Sequence, residues 1–314
     1  MRQRPPVRGR RALLAVLPAA LGLPACGVPG LGGQVHGAPA RGGPVPRDPV
    51  PPALRAALTD GMRPCVLALG EVHDHPGLHE RRLDWLRALT SGSQRCCLVL
   101  EQFDRSRQNA LEDAQRRGET DPRAVAAAGG FDFAGWEWPR YEALIALAMA
   151  RGLPLVAGNL PGPAVAAIAR GRSPGGEPPA GWRDDDEAAQ RLLLDEGHCG
   201  LLPASALAPM ARAQRARDGA MAAALVAAIG RHRLPAVLIA GNGHVRRDLG
   251  VPRFLASAGH VGSVLTVGFV EDAQGRGEAG ADPSGRYDWR VGLPAHPRPD
   301  PCEGLRARFG RPRD

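Results

Sequence analysis

The chain has 314 residues, 44% of them hydrophobic and only 4% aromatic, and it carries a formal net charge of +8 with no lysine among its basic residues. Five arginines (Arg2, Arg4, Arg8, Arg10 and Arg11) crowd the N-terminus, and without them the charge falls to about +3. The other cations are scattered, with few aromatics between them, which argues against nucleic acid as a partner.

The basic head precedes an apolar run from Ala12 to Leu23, and Leu23-Pro24-Ala25-Cys26 comes next. That is the layout of a secretory signal, and the run is too short to span a bilayer. Leu-x-Ala-Cys resembles a bacterial lipobox, in which cleavage precedes the cysteine and its sulfur carries a diacylglycerol. The alternative is an ordinary secretory signal followed by a cysteine of no consequence. The expectation is a signal peptide over 1–25, lipidation of Cys26 and residence at the cell envelope, lipid-anchored and facing the periplasm. Two acyl chains suffice for stable anchoring. Gly27 stands where inner-membrane lipoproteins of enteric bacteria carry aspartate, which points to the outer membrane. Residues 26–52, rich in Gly and Pro, read as a tether. A domain is expected over 53–300 and a basic tail over 301–314.

Short apolar runs then alternate with helical patterns, the signature of an α/β fold with a mostly parallel sheet flanked by helices. Strands are expected at Cys65–Leu69, Cys96–Leu100, Leu155–Ala157, Ala236–Ala240 and Val264–Val267, with an edge strand at Tyr287–Val291. Pro76–Leu89 and Tyr141–Ala150 read as helices between them. Residues 104–135 and 163–230 break the rhythm and read as helical insertions forming a smaller subdomain. Asp272–Gly285 reads as a polar loop.

The residues just after each strand are more informative. The first strand ends in Gly70-Glu71-Val72-His73-Asp74-His75, the second in Glu101-Gln102-Phe103, the third in Gly158-Asn159 and the fourth in Gly241-Asn242-Gly243-His244. Ligands of open α/β sheets bind beyond the carboxyl ends of the strands. Glu71, His73, Glu101 and His244 could ligate a divalent metal or act as general acid and base. Asp74 or His75 is expected to cap the next helix, and His79 to face solvent. On the second insertion Met210, Gln214, Asp218 and Met221 share one helix face, with Arg217 adjacent. That face lines either a pocket or the core, and His198 lies in the loop before it.

Five cysteines remain beyond Cys26, none with CxxC spacing, which argues against structural zinc. Cys65, Cys96 and Cys97 fall in apolar runs and read as small core residues. Cys199 and Cys302 are expected in loops, and an oxidising compartment would permit them to pair.

Gly70-Glu71-Val72-His73-Asp74-His75-Pro76, Glu101-Gln102-Phe103, His198-Cys199-Gly200, Arg217-Asp218 with Met221, and Gly241-Asn242-Gly243-His244-Val245-Arg246 resemble, in this order, the haem-binding lipoproteins of the ChaN family. These serve bacterial iron uptake within a superfamily that includes Tiki proteases and erythromycin esterases. The similarity runs from about Pro64 to Phe254. It implies haem, held between two chains of a homodimer, with a tyrosine oxygen on the iron. Tyr141 is the better match of two tyrosines, the other being Tyr287; failing both, His198 or another histidine would ligate. The implied haem-binding set is Tyr141, His198, Glu71, His73, Glu101 and His244, with Met210, Gln214, Arg217, Asp218 and Met221 on the helix face. The superfamily also implies a rival, a metal-dependent hydrolase using Glu71, His73, Glu101 and His244.

Overall fold

The computed structural model describes residues 50–52, 55–56, 65–260 and 262–309. The signal peptide, Cys26 and nearly all of the tether lie outside these residues. Seven strands form one sheet: β1 (Cys65–Leu69), β2 (Cys97–Asp104), β3 (Leu155–Asn159), β4 (Ala236–Ile239), β5 (Ser263–Glu271), β6 (Ala279–Ala281) and β7 (Trp289–Leu293). Their order is β3-β2-β4-β1-β5-β7-β6, and only β6 runs antiparallel to its neighbour.

Strand side chains alternate between two faces, so each face needs its own cover. On one face Leu67, Leu69, Leu98, Leu100 and Ile239 pack beneath α1 (Pro76–Leu89), α2 (Gln108–Arg116), α3 (Pro122–Ala128) and α4 (Pro139–Ala150). On the other, Val66, Ala68, Cys97, Val99 and Leu238 meet Met221, Leu225 and Ala228 of a long helix, α7 (Ala204–His232). The first half of α7 carries α5 (Gly162–Ala169) and α6 (Asp184–Gly197), with a small core around Val165, Ile168 and Ala213. Two short helices, α8 (Asn242–Val245) and α9 (Pro252–Leu255), come after β4. No helix among the described residues is long and apolar enough to cross a membrane.

Two expectations change. Residues 272–285 are not all loop, and the edge of the sheet is β6 rather than the strand near 287–291. β7 pairs parallel to β5 and antiparallel to β6. The connection from β6 to β7 turns at Asp282-Pro283-Ser284-Gly285, where Asp282 Oδ2 accepts from the backbone of Arg286 and Tyr287. A three-residue Ala-Gly-Ala edge strand has no hydrophobic alternation, which is why its composition reads as loop. The other change is at the C-terminus, where Pro301–Phe309 form helix α10. Cys302 on that helix is bonded to Cys199 after α6, joining positions 103 residues apart. Cys65, Cys96 and Cys97 are free and buried, as small core residues are.

Candidate functional site

Strand register builds the site. Leu69 of β1 and Leu100 of β2 both lie opposite Ile239 of β4, and Ala157 of β3 lies opposite Leu100. β1 and β4 end level, while β2 runs on past Leu100 so that Glu101 still lies in the strand, and the C-terminal ends of these neighbours converge on one rim. Gly70 and Gly241 make room there. A Cβ on Gly70 would sit 2.1 Å from Asn242 Oδ1, and one on Gly241 would sit 2.8 Å from His73 Nε2.

The rim contains two buried charge systems. In the first, Glu71 is the hub. Its Oε2 is paired with Arg82 Nη1, while Oε1 accepts from Tyr141 Oη at 2.5 Å and Gln102 Nε2 at 3.0 Å. His73 Nδ1 lies 2.7 Å from the same oxygen, so the proton sits on Nδ1. In the second, Glu101 is paired with Arg217 Nη2 and accepts from Gly241 N at 2.6 Å. His244 stands between Glu101 (3.4 Å from Nε2) and Asp218 (2.6 Å from Nδ1), with Gln214 over its ring. Burial opposes the charge on His244, but the two carboxylates overcome it and raise its pKa to about 9. Burial also works against ionised Glu101, yet His244 and Arg217 hold it well below the usual carboxylate range. Burial raises the Asp218 pKa.

Glu71, Glu101, Asp218 and His244 side chains are all at most 5% exposed, whereas His73 keeps 37% of its side chain open. Its ring meets the Trp136 edge at 4.8 Å. Trp136 lies on the wall of a cleft of ≈ 680 Å³, open mouth included, which also touches Glu101, Phe103, Leu160, Val165 and Arg217.

The structure brings Glu71, His73, Glu101 and His244 from the strand ends together with Gln214, Arg217 and Asp218 from α7. Tyr141 joins the same cluster through Glu71, whereas Tyr287, Met210, Met221 and His198 lie apart from it. Tyr141 is 1% exposed, its hydroxyl is spent on Glu71, and burial raises its pKa. It ties the start of α4 to the Glu71 cluster. The hydroxyl of Tyr287, a half-buried residue, donates to Asn242 O at 3.3 Å. Met221 is fully buried in the core between α7 and the sheet, so the helix face turns to His244 at Gln214 and Asp218 but to the core at Met221. Met210 is half-buried on the first half of α7. His198 caps α6, with Nδ1 2.7 Å from Leu194 O, beside the disulfide. His75 caps α1 by accepting from Leu78 N.

His79 does not face solvent. It is 5% exposed and bonds His73 O at 3.1 Å and Arg82 at 3.2 Å. Burial and the neighbouring His73 lower its pKa to about 4. Sequence reading also missed Arg82, Gln102 and Trp136. For Arg82 a signal existed: an arginine on the apolar stripe of α1 needs a buried partner.

The divalent-metal alternative is not supported. Among the described residues no group of three or more His, Cys, Asp or Glu could hold a metal ion. The reason is that Glu71, Glu101 and His244 already spend their lone pairs and charge on Arg82, Arg217 and Asp218. A protonated His244 bonded at both nitrogens is also no general base.

Comparison with known proteins agrees with the fold. A family model described as haem-binding uptake, Tiki superfamily, ChaN matches residues 60–255. The structure of cofacial haem binding to ChaN of Campylobacter jejuni is 19% identical, with a TM-score of 0.60 over 72% of this chain and 86% of that one. The type III effector HopBA1 is 13% identical with a TM-score of 0.41, covering 74% of this chain and 88% of its own. An erythromycin esterase EreC mutant is 13% identical with a TM-score of 0.40, covering 76% and 77% respectively. Among curated proteins none matches at a significant level.

Proposed function

The chain belongs to the ChaN family of haem-binding uptake proteins in the Tiki superfamily, and from that premise we propose that it binds haem at the bacterial envelope for iron uptake or storage. The observation that carries this reading is the cleft beside β2 and β3. Its walls carry Phe103, Trp136, Leu160 and Val165 beside the polar Glu101, Gln102, Asp104, Asp132, Asn159 and Arg217. Trp136, Leu160 and Val165 would pack a flat apolar macrocycle. Bound haem supplies the iron centre; the chain's residues enclose, orient and release it. A homodimer closing over the open cleft belongs to the same reading.

The envelope part rests on the lipobox at Cys26, and the Cys199–Cys302 disulfide supports export because such bonds persist in oxidising compartments. Titrating the detergent-purified full chain with hemin is expected to give a saturable Soret shift. A response no greater than that of an unrelated arginine-rich protein would sink the haem reading. Cys26→Ser is expected to move the protein from membrane to soluble fractions, and unchanged membrane association would refute the anchor.

A further inference from the structure

After β7 the chain does not leave the domain. Residues 294–300 lie against the carboxyl ends of β1 and β5 before α10 begins. His75 Nε2 donates to Pro294 O at 2.9 Å, and the rings of His75 and His296 are 5.8 Å apart. His296 N donates to Glu271 Oε1 at 3.3 Å. Arg298 spans two carboxylates, reaching Glu271 at 2.6 and 2.9 Å and Asp74 at 3.1 Å. Asp74 and His75 directly follow His73, so this strap clasps the turn that carries the open imidazole of the rim.

The far end of the strap is held in another way. Cys302 N and Arg306 of α10 both turn back to Asp300, while Cys302 Sγ is bonded to Cys199 after α6. Both cysteines of that bond are half-buried, whereas Cys65, Cys96 and Cys97 are buried free thiols. A disulfide open to solvent is the kind that a reductant reaches and that serves regulation. Pro294, Pro297, Pro299 and Pro301 stiffen the strap, so it moves as one piece. Fixed at both ends, it stays down. Freed at Cys302, it would pivot from β7 against one ion cluster in which Arg298 is 27% exposed, and such pairs hold weakly.

We propose that Cys199–Cys302 is a redox latch on the rim. Oxidised, it holds the strap over the turn that carries His73; reduced by a dithiol, it releases the strap with α10 and opens that side of the rim. A thiolate of the dithiol attacks one sulfur, and its second thiol resolves the mixed disulfide. The dithiol gives up two electrons and leaves as its own disulfide, while Cys199 and Cys302 each end as a protonated thiol. This device does not depend on which ligand the rim takes.

The test uses the detergent-purified full chain with and without dithiothreitol, read by amide hydrogen exchange and by diethyl pyrocarbonate labelling of His73. Reduction is expected to speed exchange at Ala295, His296, Arg298 and Asp300, and labelling of His73, by about tenfold, with exchange in β1 and β2 unchanged. Cys302→Ser should be open without reductant and indifferent to it. Arg298→Ala should stay closed while oxidised, because the latch remains. Faster exchange confined to 301–309, with the strap and His73 unchanged, would overturn the proposal. So would a bond that resists the dithiol, a loss of protection reaching β1 and β2, or an oxidised Arg298→Ala that is already open. Should Cys302→Ser fold poorly, wild type and Arg298→Ala still decide.

Discussion

Arg82→Leu is expected to lower the unfolding free energy by about 3–5 kcal/mol, the usual cost of stranding one member of a buried ion pair. Arg82 is 2% exposed and Glu71 is 3% exposed, so no water can replace the lost partner. Glu71 would keep Tyr141, Gln102 and His73 as donors, but none of them is a fixed cation. For a domain of this size the loss corresponds to a melting temperature lower by about 6–20 °C. Adding Glu71→Gln should recover much of it, because an uncharged amide still accepts from Tyr141 and Gln102 without a buried charge. Thermal melts of the single and double variants decide the matter. A double variant no more stable than Arg82→Leu would show that packing of the arginine stem, and not the stranded carboxylate, sets the cost.

The second large effect is on pH. His244 has a folded pKa of about 9 against an ordinary value of 6.5, because Glu101 and Asp218 flank it in spite of burial. Folding therefore favours its protonated form. This contribution is whole below pH 6.5 and is lost as pH rises through about 9. A displacement of that size is worth about 3 kcal/mol. His79 works with the opposite sign. Its folded pKa of about 4 lies below 6.5, so its contribution is whole above pH 6.5 and is lost as pH falls toward 4. Urea unfolding across pH 4 to 10 should accordingly show a maximum near pH 6.5. His244→Gln should flatten only the alkaline side, and His79→Gln only the acidic side. If His244→Gln left the alkaline slope parallel to that of wild type, the raised pKa of His244 would not be its cause.

Mutual pairing also explains why these carboxylates and imidazoles make a poor metal site. Four of the rim's ionisable groups serve each other. A sequence shows that Glu71, His73, Glu101 and His244 lie at or beyond the ends of apolar runs, but not which of them are already spoken for. Arg82 and Arg217 decide that, and they come from helices 11 and 116 residues away in the chain from the carboxylates they hold. Gln102 and Trp136 carried no periodic signal either, since their roles depend on what lies across the cleft.

Much was determined by the sequence alone, wherever the cause is local. Apolar runs of three to five residues placed β1 to β5 within a few positions, and Pro76 with the stripe Leu78, Arg82, Trp85, Leu86 and Leu89 marked α1 as it stands. The polar residue after each of four strands located the rim, because parallel strands in register must deliver their ends to one side. Tertiary structure alone decided which way each of those side chains faces. Tyr141 and His79 pack edge to face at 5.2 Å and seal each other into the interior. Met221 turns to the sheet while Asp218, one helical turn earlier, turns to His244. Such choices rest on contacts between distant segments, where burial makes each polar atom find a partner. Pairing of that kind leaves His73 with one nitrogen free, and no reading of spacing along the chain could have singled it out.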